Sequence, residues 1–181
     1  MLFRSLPAFA AQLMQAFWPG PLTLILPRKL EVGAASAGGQ DSIGLRCPAH
    51  PVAQALLQAC QAIGIHGLAA PSANRFGRVS PTSADHVRDE FNALLSDDEL
   101  LILDGGPCPV GIESTIVDCS RGRPVLLRPG MIGIEALAAA LGQPVAQRDQ
   151  AAPKASGTLE SHYAPTARVR LMGQAEIPAP P

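Results

Sequence analysis

The sequence predicts an α/β domain, and three observations carry that reading. Four helical patterns interleave with about six strand-like apolar runs up to about residue 142. Hydrophobic residues make up 47% of the 181-residue chain but aromatics only 4%, so Leu, Val, Ile and Ala must build the core. Polar residues gather at the ends of the apolar runs, where α/β domains hold their ligands.

The first helix is expected over residues 7–17, where Phe9, Leu13, Ala16 and Phe17 recur at helical spacing. Pro19 and Pro21 in "WPGP" stop it, because proline denies a backbone donor and fixes φ. "LTLIL" (22–26) and "SIGLR" (42–46) read as strands, with a Gly-rich loop at 31–40 between them. The next helix starts at Pro51, a first-turn proline, and Gly64 ends it. Val52, Leu56, Cys60 and Ile63 form its apolar stripe. "IHGLAA" (65–70) reads as a strand, and residues 82–95 as a helix with Val87, Phe91, Leu94 and Leu95 inward. Thr82 is its expected cap, with Asp85 three residues on. Strands follow at 99–104, 112–118 and 125–130, then a helix at 134–142. Residues 143–165 are polar and non-periodic, a linker ending in "HYAP". "TARVRLM" (166–172) alternates like the first strand of a second domain, begun within residues 166–181.

Charge narrows the function classes. The net charge of −1 argues against a broadly basic nucleic-acid binder. Twelve of the fourteen basic residues are Arg, whose rigid fork suits phosphate and carboxylate. Cys47, Cys60, Cys108 and Cys119 form no CxxC or Cys/His cluster, so no zinc site is expected and the thiols read as reduced. No 18-residue apolar run and no signal pattern is present, which points to a cytoplasmic protein away from membranes.

The chemistry concentrates in four polar sets. "APSANRFGRVSPT" (70–82) follows an apolar run and precedes a helix. Its hydroxyls and backbone N–H groups suit phosphate and ribose oxygens, and Asn74 can donate and accept. On its own the stretch reads more readily as an ordinary turn whose hydroxyls only satisfy local backbone. It is not a P-loop. Arg46 leaves one apolar strand and Arg128 another. Glu113, Ser114 and Thr115 begin an otherwise apolar strand and need partners, since unpaired buried polar groups are costly. Together these sets imply one cleft lined with Arg and hydroxyls, fit for a phosphorylated, carboxylate-bearing ligand. His50, His66 and His86 are scattered and nothing resembles a Ser-His-Asp arrangement.

"FWPGPLTLIL", "IGLRCP", "APSANRFGRVSPT", "GIESTIVD", "LLRPG" and "SHYAP" occur in an order and spacing that resembles the YrdC-type L-threonylcarbamoyl-AMP synthases, of the longer kind with a linker and second domain. The resemblance implies a twisted, open sheet with helices and a concave ligand face. It implies synthesis of threonylcarbamoyl-AMP from L-threonine, bicarbonate and ATP. Other proteins would pass the group to a tRNA adenosine next to the anticodon. Matched position by position, Ser42, Ser72, Asn74, Ser80, Arg128 and Tyr163 fall on the ATP side. Arg46, Ala70 and Ser114, with Thr115 as the near alternative, fall on the threonine side. Mg²⁺ would come with the nucleotide, and no protein ligand is assigned to it. The family's upstream Thr-x-Tyr-Gly and Lys-x-Arg motifs have no counterpart here, so the synthase domain (1–142) is expected to be N-terminally incomplete. The competing expectation is a non-catalytic module binding nucleotide or double-stranded RNA. A hydrogenase-maturation carbamoyl-transfer domain shares the fold, but it expects zinc-finger neighbours.

Overall fold

A computed structural model describes residues 2–96 and 98–155. Its core is a mixed five-stranded sheet in the order β2-β1-β3-β4-β5. The strands are β1 (Leu22–Pro27), β2 (Ser42–Arg46), β3 (Thr115–Asp118), β4 (Val125–Arg128) and β5 (Ala146–Gln147). The helices are α1 (Ala8–Phe17), α2 (Pro51–Ala62), α3 (Ala84–Phe91) and α4 (Ile134–Leu141). β1 pairs antiparallel with β2 and parallel with β3, which brings residues 91 apart into contact through Thr23 and Ser114.

Period-2 alternation gives the sheet two unlike faces. Leu22, Leu24 and Leu26 point one way, join Val117, Cys119 and Leu126, and are covered by Ala10 and Leu13 of α1 and Leu137 and Leu141 of α4. Thr23 and Ile25 point the other way, opposite Arg46 and Gly44 on β2 and Ile116 and Asp118 on β3. That second face carries a smaller apolar cluster of Ile25, Ile116, Val125 and Leu127. Ala146, Ala152 and Ala155 pack on it, and no helix among the described residues is packed against it. The fold therefore has one helix-covered face and one face that is without a helix among the described residues, the open face.

Local chemistry explains the element ends. α1 ends at a cis Trp18–Pro19 bond, with the Trp18 indole donating to Leu22 O at 2.7 Å. The β1–β2 loop closes around Arg28, a buried residue whose guanidinium donates to the carbonyls of Lys29, Leu30, Val32 and Gln40. His50 caps α2 by accepting from Val52 N, and α4 stops at Gly142, whose φ of +64° favours glycine. The cap of α3 is Ser83, one residue after the expected Thr82; its hydroxyl accepts from His86 N.

Two expected strands are absent. Residues 65–70 and 99–104 form no ladder, and Leu101 is 81% exposed. An apolar run becomes a strand only when a neighbour takes its backbone groups, and no described strand lies beside either run. Neither α2 nor α3 buries a side chain, so Leu56, Ile63, Leu94 and Leu95, expected inward, are exposed. In the opposite sense, part of the expected linker supplies β5 and continues the sheet. No helix among the described residues is long and apolar enough to cross a membrane.

Candidate active site

The site begins where β1, β3 and β4 lie side by side. Arg128 ends β4 and is only 8% exposed. Its Nε and Nη2 donate to Ser114 O at 3.0 and 2.9 Å, and Nη2 also reaches Ser114 Oγ at 3.1 Å. Ser114 Oγ in turn lies 2.8 Å from Thr23 Oγ1. Thr23 stands directly opposite Arg46 in the β1–β2 register, so the two side chains share the open face. A buried cation, two hydroxyls and an exposed cation thus line up across four strands.

Glu113 joins this row to the loop at 72–80. One of its carboxylate oxygens accepts from Ser80 Oγ at 2.6 Å, and the other lies 3.5 Å from Arg128 Nη2. Ser80 Oγ also lies 3.4 Å from Asn74 Oδ1. Asn74 Nδ2 donates to the carbonyls of Arg75 and Arg78, which folds the loop on itself. Glu90 of α3 clasps the loop from outside through Arg75 N, Arg75 Nε and Arg78 Nη1. The Arg75 backbone hydrogen bond, aided by both guanidinium charges, holds the Glu90 carboxyl below the usual carboxylate range.

Gly130 permits this geometry. A Cβ there would sit 2.5 Å from Glu113 O and Thr115 N, so only glycine lets the turn after Arg128 lie against residues 113–115.

Of the expected residues, Asn74, Ser80, Ser114 and Arg128 belong to one hydrogen-bonded network, and Arg46 flanks it. Thr115 does not face the site. It is fully buried, and its hydroxyl donates to Ile132 O and accepts from Ile132 N, at 2.9 and 3.1 Å. Of that pair, the Ser114 hydroxyl is the one in the network with Thr23 and Arg128. Ala70 and Ser72 lie exposed on the approach to the loop. Tyr163 lies outside the described residues. Ser42 stands at the far end of β2, four residues and ~13 Å from Arg46. There it borders a hollow of about 440 Å³ lined also by Arg4, Gln40, Asp41, Ser120 and Arg121. Sequence reasoning missed Thr23 and Glu90, and gave Glu113 no role beyond needing a partner. The only sequence signal for Thr23 is a hydroxyl within an otherwise aliphatic strand.

The arrangement can bind anions and orient them. Cys119 is buried beneath the sheet, and that burial, with the neighbouring Asp118 charge, pushes its thiol up to about 12. Among the described residues no group of three His, Cys, Asp or Glu is placed to hold a metal ion.

Comparison with known proteins agrees with this fold. The chain is 38% identical over 174 residues to the threonylcarbamoyl-AMP synthase of Pyrococcus abyssi, covering 93% of this chain and 49% of that protein. It is 41% identical over 170 residues to the synthase of Bacillus subtilis, with 91% and 47% covered. The chain thus spans about half the length of these curated relatives. Its fold superposes on the crystal structure of P. abyssi Sua5 complexed with L-threonine with a TM-score of 0.76 at 37% identity, covering 92% of this chain and 48% of that one. Against E. coli YciO the TM-score is 0.60 at 26% identity, with 75% and 62% covered. Residues 132–179 match the family described as the threonylcarbamoyl-AMP synthase C-terminal domain. Residues 1–130 match the Sua5/YciO/YrdC family, described as telomere recombination, and the chain belongs to that family.

Proposed function

We propose that this chain forms L-threonylcarbamoyl-AMP from L-threonine, bicarbonate and ATP. The observation that carries the reading is the row Arg46–Thr23–Ser114–Arg128 on the open face, joined through Glu113 to the Ser80 loop. In this reading the Arg46 fork pairs with the threonine carboxylate, beside Ala70 and the Ser114 hydroxyl. Arg128, Ser72, Asn74 and Ser80 meet the nucleotide, which runs along the open face toward Ser42, and Tyr163 closes over it. Mg²⁺ travels as the counter-ion of the triphosphate.

The amine of threonine adds to bicarbonate with loss of water and yields a carbamate. A carbamate oxygen then attacks the α-phosphorus of ATP. A P–O bond forms, the bond to the β-phosphate oxygen breaks, and pyrophosphate leaves. No side chain needs to form a covalent intermediate. The chain's contribution is to hold two anions together and stabilise charge on the transferring phosphoryl group. The product is a mixed anhydride that water would destroy, so partner proteins in the cytoplasm would take it directly to tRNA.

Binding of double-stranded RNA without chemistry is less favoured. Arg75 and Arg78, the basic residues of the loop, are already paired with Glu90. The test is pyrophosphate release by the full chain with ATP and Mg²⁺. Release should require both threonine and bicarbonate; release indifferent to threonine would refute the reading.

A further inference from the structure

We infer that Glu113 is a positioning residue that couples the nucleotide side of the site to the threonine side. The inference rests on the reading above. Glu113 and Ser114 are neighbours in the chain, yet they serve opposite halves of the site. The Glu113 carboxylate divides its oxygens between Ser80 Oγ at 2.6 Å and Arg128 Nη2 at 3.5 Å. Arg128 in turn fixes the Ser114 carbonyl and hydroxyl.

Ser80 has one hydroxyl proton. At 2.6 Å the carboxylate takes it, so the 3.4 Å approach to Asn74 Oδ1 receives little of it. Glu113 therefore sets both the place of the loop and the direction of its hydroxyl. A phosphate that recruits Ser80 or Arg128 must re-aim Glu113, and the movement reaches Ser114 through the adjoining peptide. Conversely, a threonine that fixes Ser114 and Arg128 holds Glu113, and with it Ser80, in place for the nucleotide.

The link needs both the span of the carboxylate and an acceptor at each of its oxygens, because Ser80 and Arg128 both donate to it. Two substitutions remove one requirement each. Glu113→Gln keeps the length but turns an amide N–H donor toward Ser80 or Arg128. Glu113→Asp keeps both acceptors but is one methylene too short to touch both partners.

Calorimetric titration of the full chain with a non-hydrolysable ATP analogue, with and without saturating threonine, tests this. Wild type should bind the analogue about fivefold or more tighter with threonine present. In both Glu113→Gln and Glu113→Asp the ratio should fall to about one, while each ligand alone still binds with measurable heat. An unchanged ratio in either variant, or no threonine effect in wild type, would each overturn the inference. Threonine that gives no binding heat with wild type defeats the functional reading itself, and the inference with it. Threonine that binds without affecting the analogue defeats the inference alone.

Discussion

Arg46 and Arg128 have the same charge and opposite surroundings. Arg46 ends an edge strand and is exposed; Arg128 is buried and hydrogen-bonded to Ser114. Removing Arg46 leaves no buried partner stranded, so Arg46→Ala should shift stability by within ~0.5 kcal/mol. Removing Arg128 strands the Ser114 carbonyl, and Arg128→Ala should cost about 1–3 kcal/mol. On the proposed function Arg46→Ala weakens threonine more than ATP, and Arg128→Ala weakens ATP first. Denaturant melts and titration of each ligand check both pairs; equal losses for both ligands would contradict the assignment. Half of this site was legible because its residues break local rules. Arg128 charges the end of an aliphatic strand, and Ser114 stands between a charge and a buried run. Thr23 and Glu90 break no local rule. Their meaning comes from partners 91 and 15 residues away, contacts that no short window of sequence contains.

At the level of elements, the segment after α4 is tied down at both ends. Asp149 accepts from Arg121 Nη1 and Arg123 Nη2, each at 2.8 Å, while Arg121 Nε holds the buried Asp118 at 2.7 Å. Five residues on, Lys154 N donates to Gln40 Oε1 at 3.2 Å. Residues between these ties lie over the open face, where Ala152 meets the Ile25–Leu127 cluster. The Arg121 hydrogen bond, with Arg123 adding, holds the Asp149 carboxyl below its ordinary value of 3.8. A lowered folded value means the clasp stabilises above pH 3.8 and is lost only as pH falls below it. At neutral pH, then, only substitution should open it. Asp149→Asn should speed trypsin cleavage after Arg148 and Lys154 several-fold with the melting midpoint nearly unchanged. Mass spectrometry of the early fragments reads this, and cleavage at the wild-type rate would show that the clasp holds nothing. β5 escaped sequence reading because two residues carry no period. α1, β1, β2, α2 and α4 were legible because Pro and Gly punctuate them and their apolar spacing agrees. Residues 65–70 and 99–104 misled for the converse reason. Their composition is that of strands, but pairing is a property of two segments, and a single run does not contain its partner.

Over the whole molecule, apolar residues fall into two populations that composition cannot tell apart. Leu24 and Leu101 each sit within an aliphatic run of similar length. Leu24 is fully buried, between its strand neighbours and beneath α1 and α4. Leu101 is 81% exposed on a segment with no ladder among the described residues. Hydrophobic stabilisation follows area removed from water, so equal side chains should have unequal worth. Leu24→Ala removes fully buried methyl groups and leaves a cavity that the sheet cannot close, costing about 2–5 kcal/mol. Leu101→Glu changes a side chain already in water and should stay within ~0.5 kcal/mol. The same exposure leaves Leu101 and Leu103 as apolar surface for self-association. Leu101→Glu should therefore lower the weight-average mass at high concentration without moving the melting midpoint. Urea melts paired with sedimentation of both variants decide the matter. A large stability loss in Leu101→Glu would mean that residues 99–104 are packed in solution. In that case the stabilising core would extend beyond the sheet between β2 and β5.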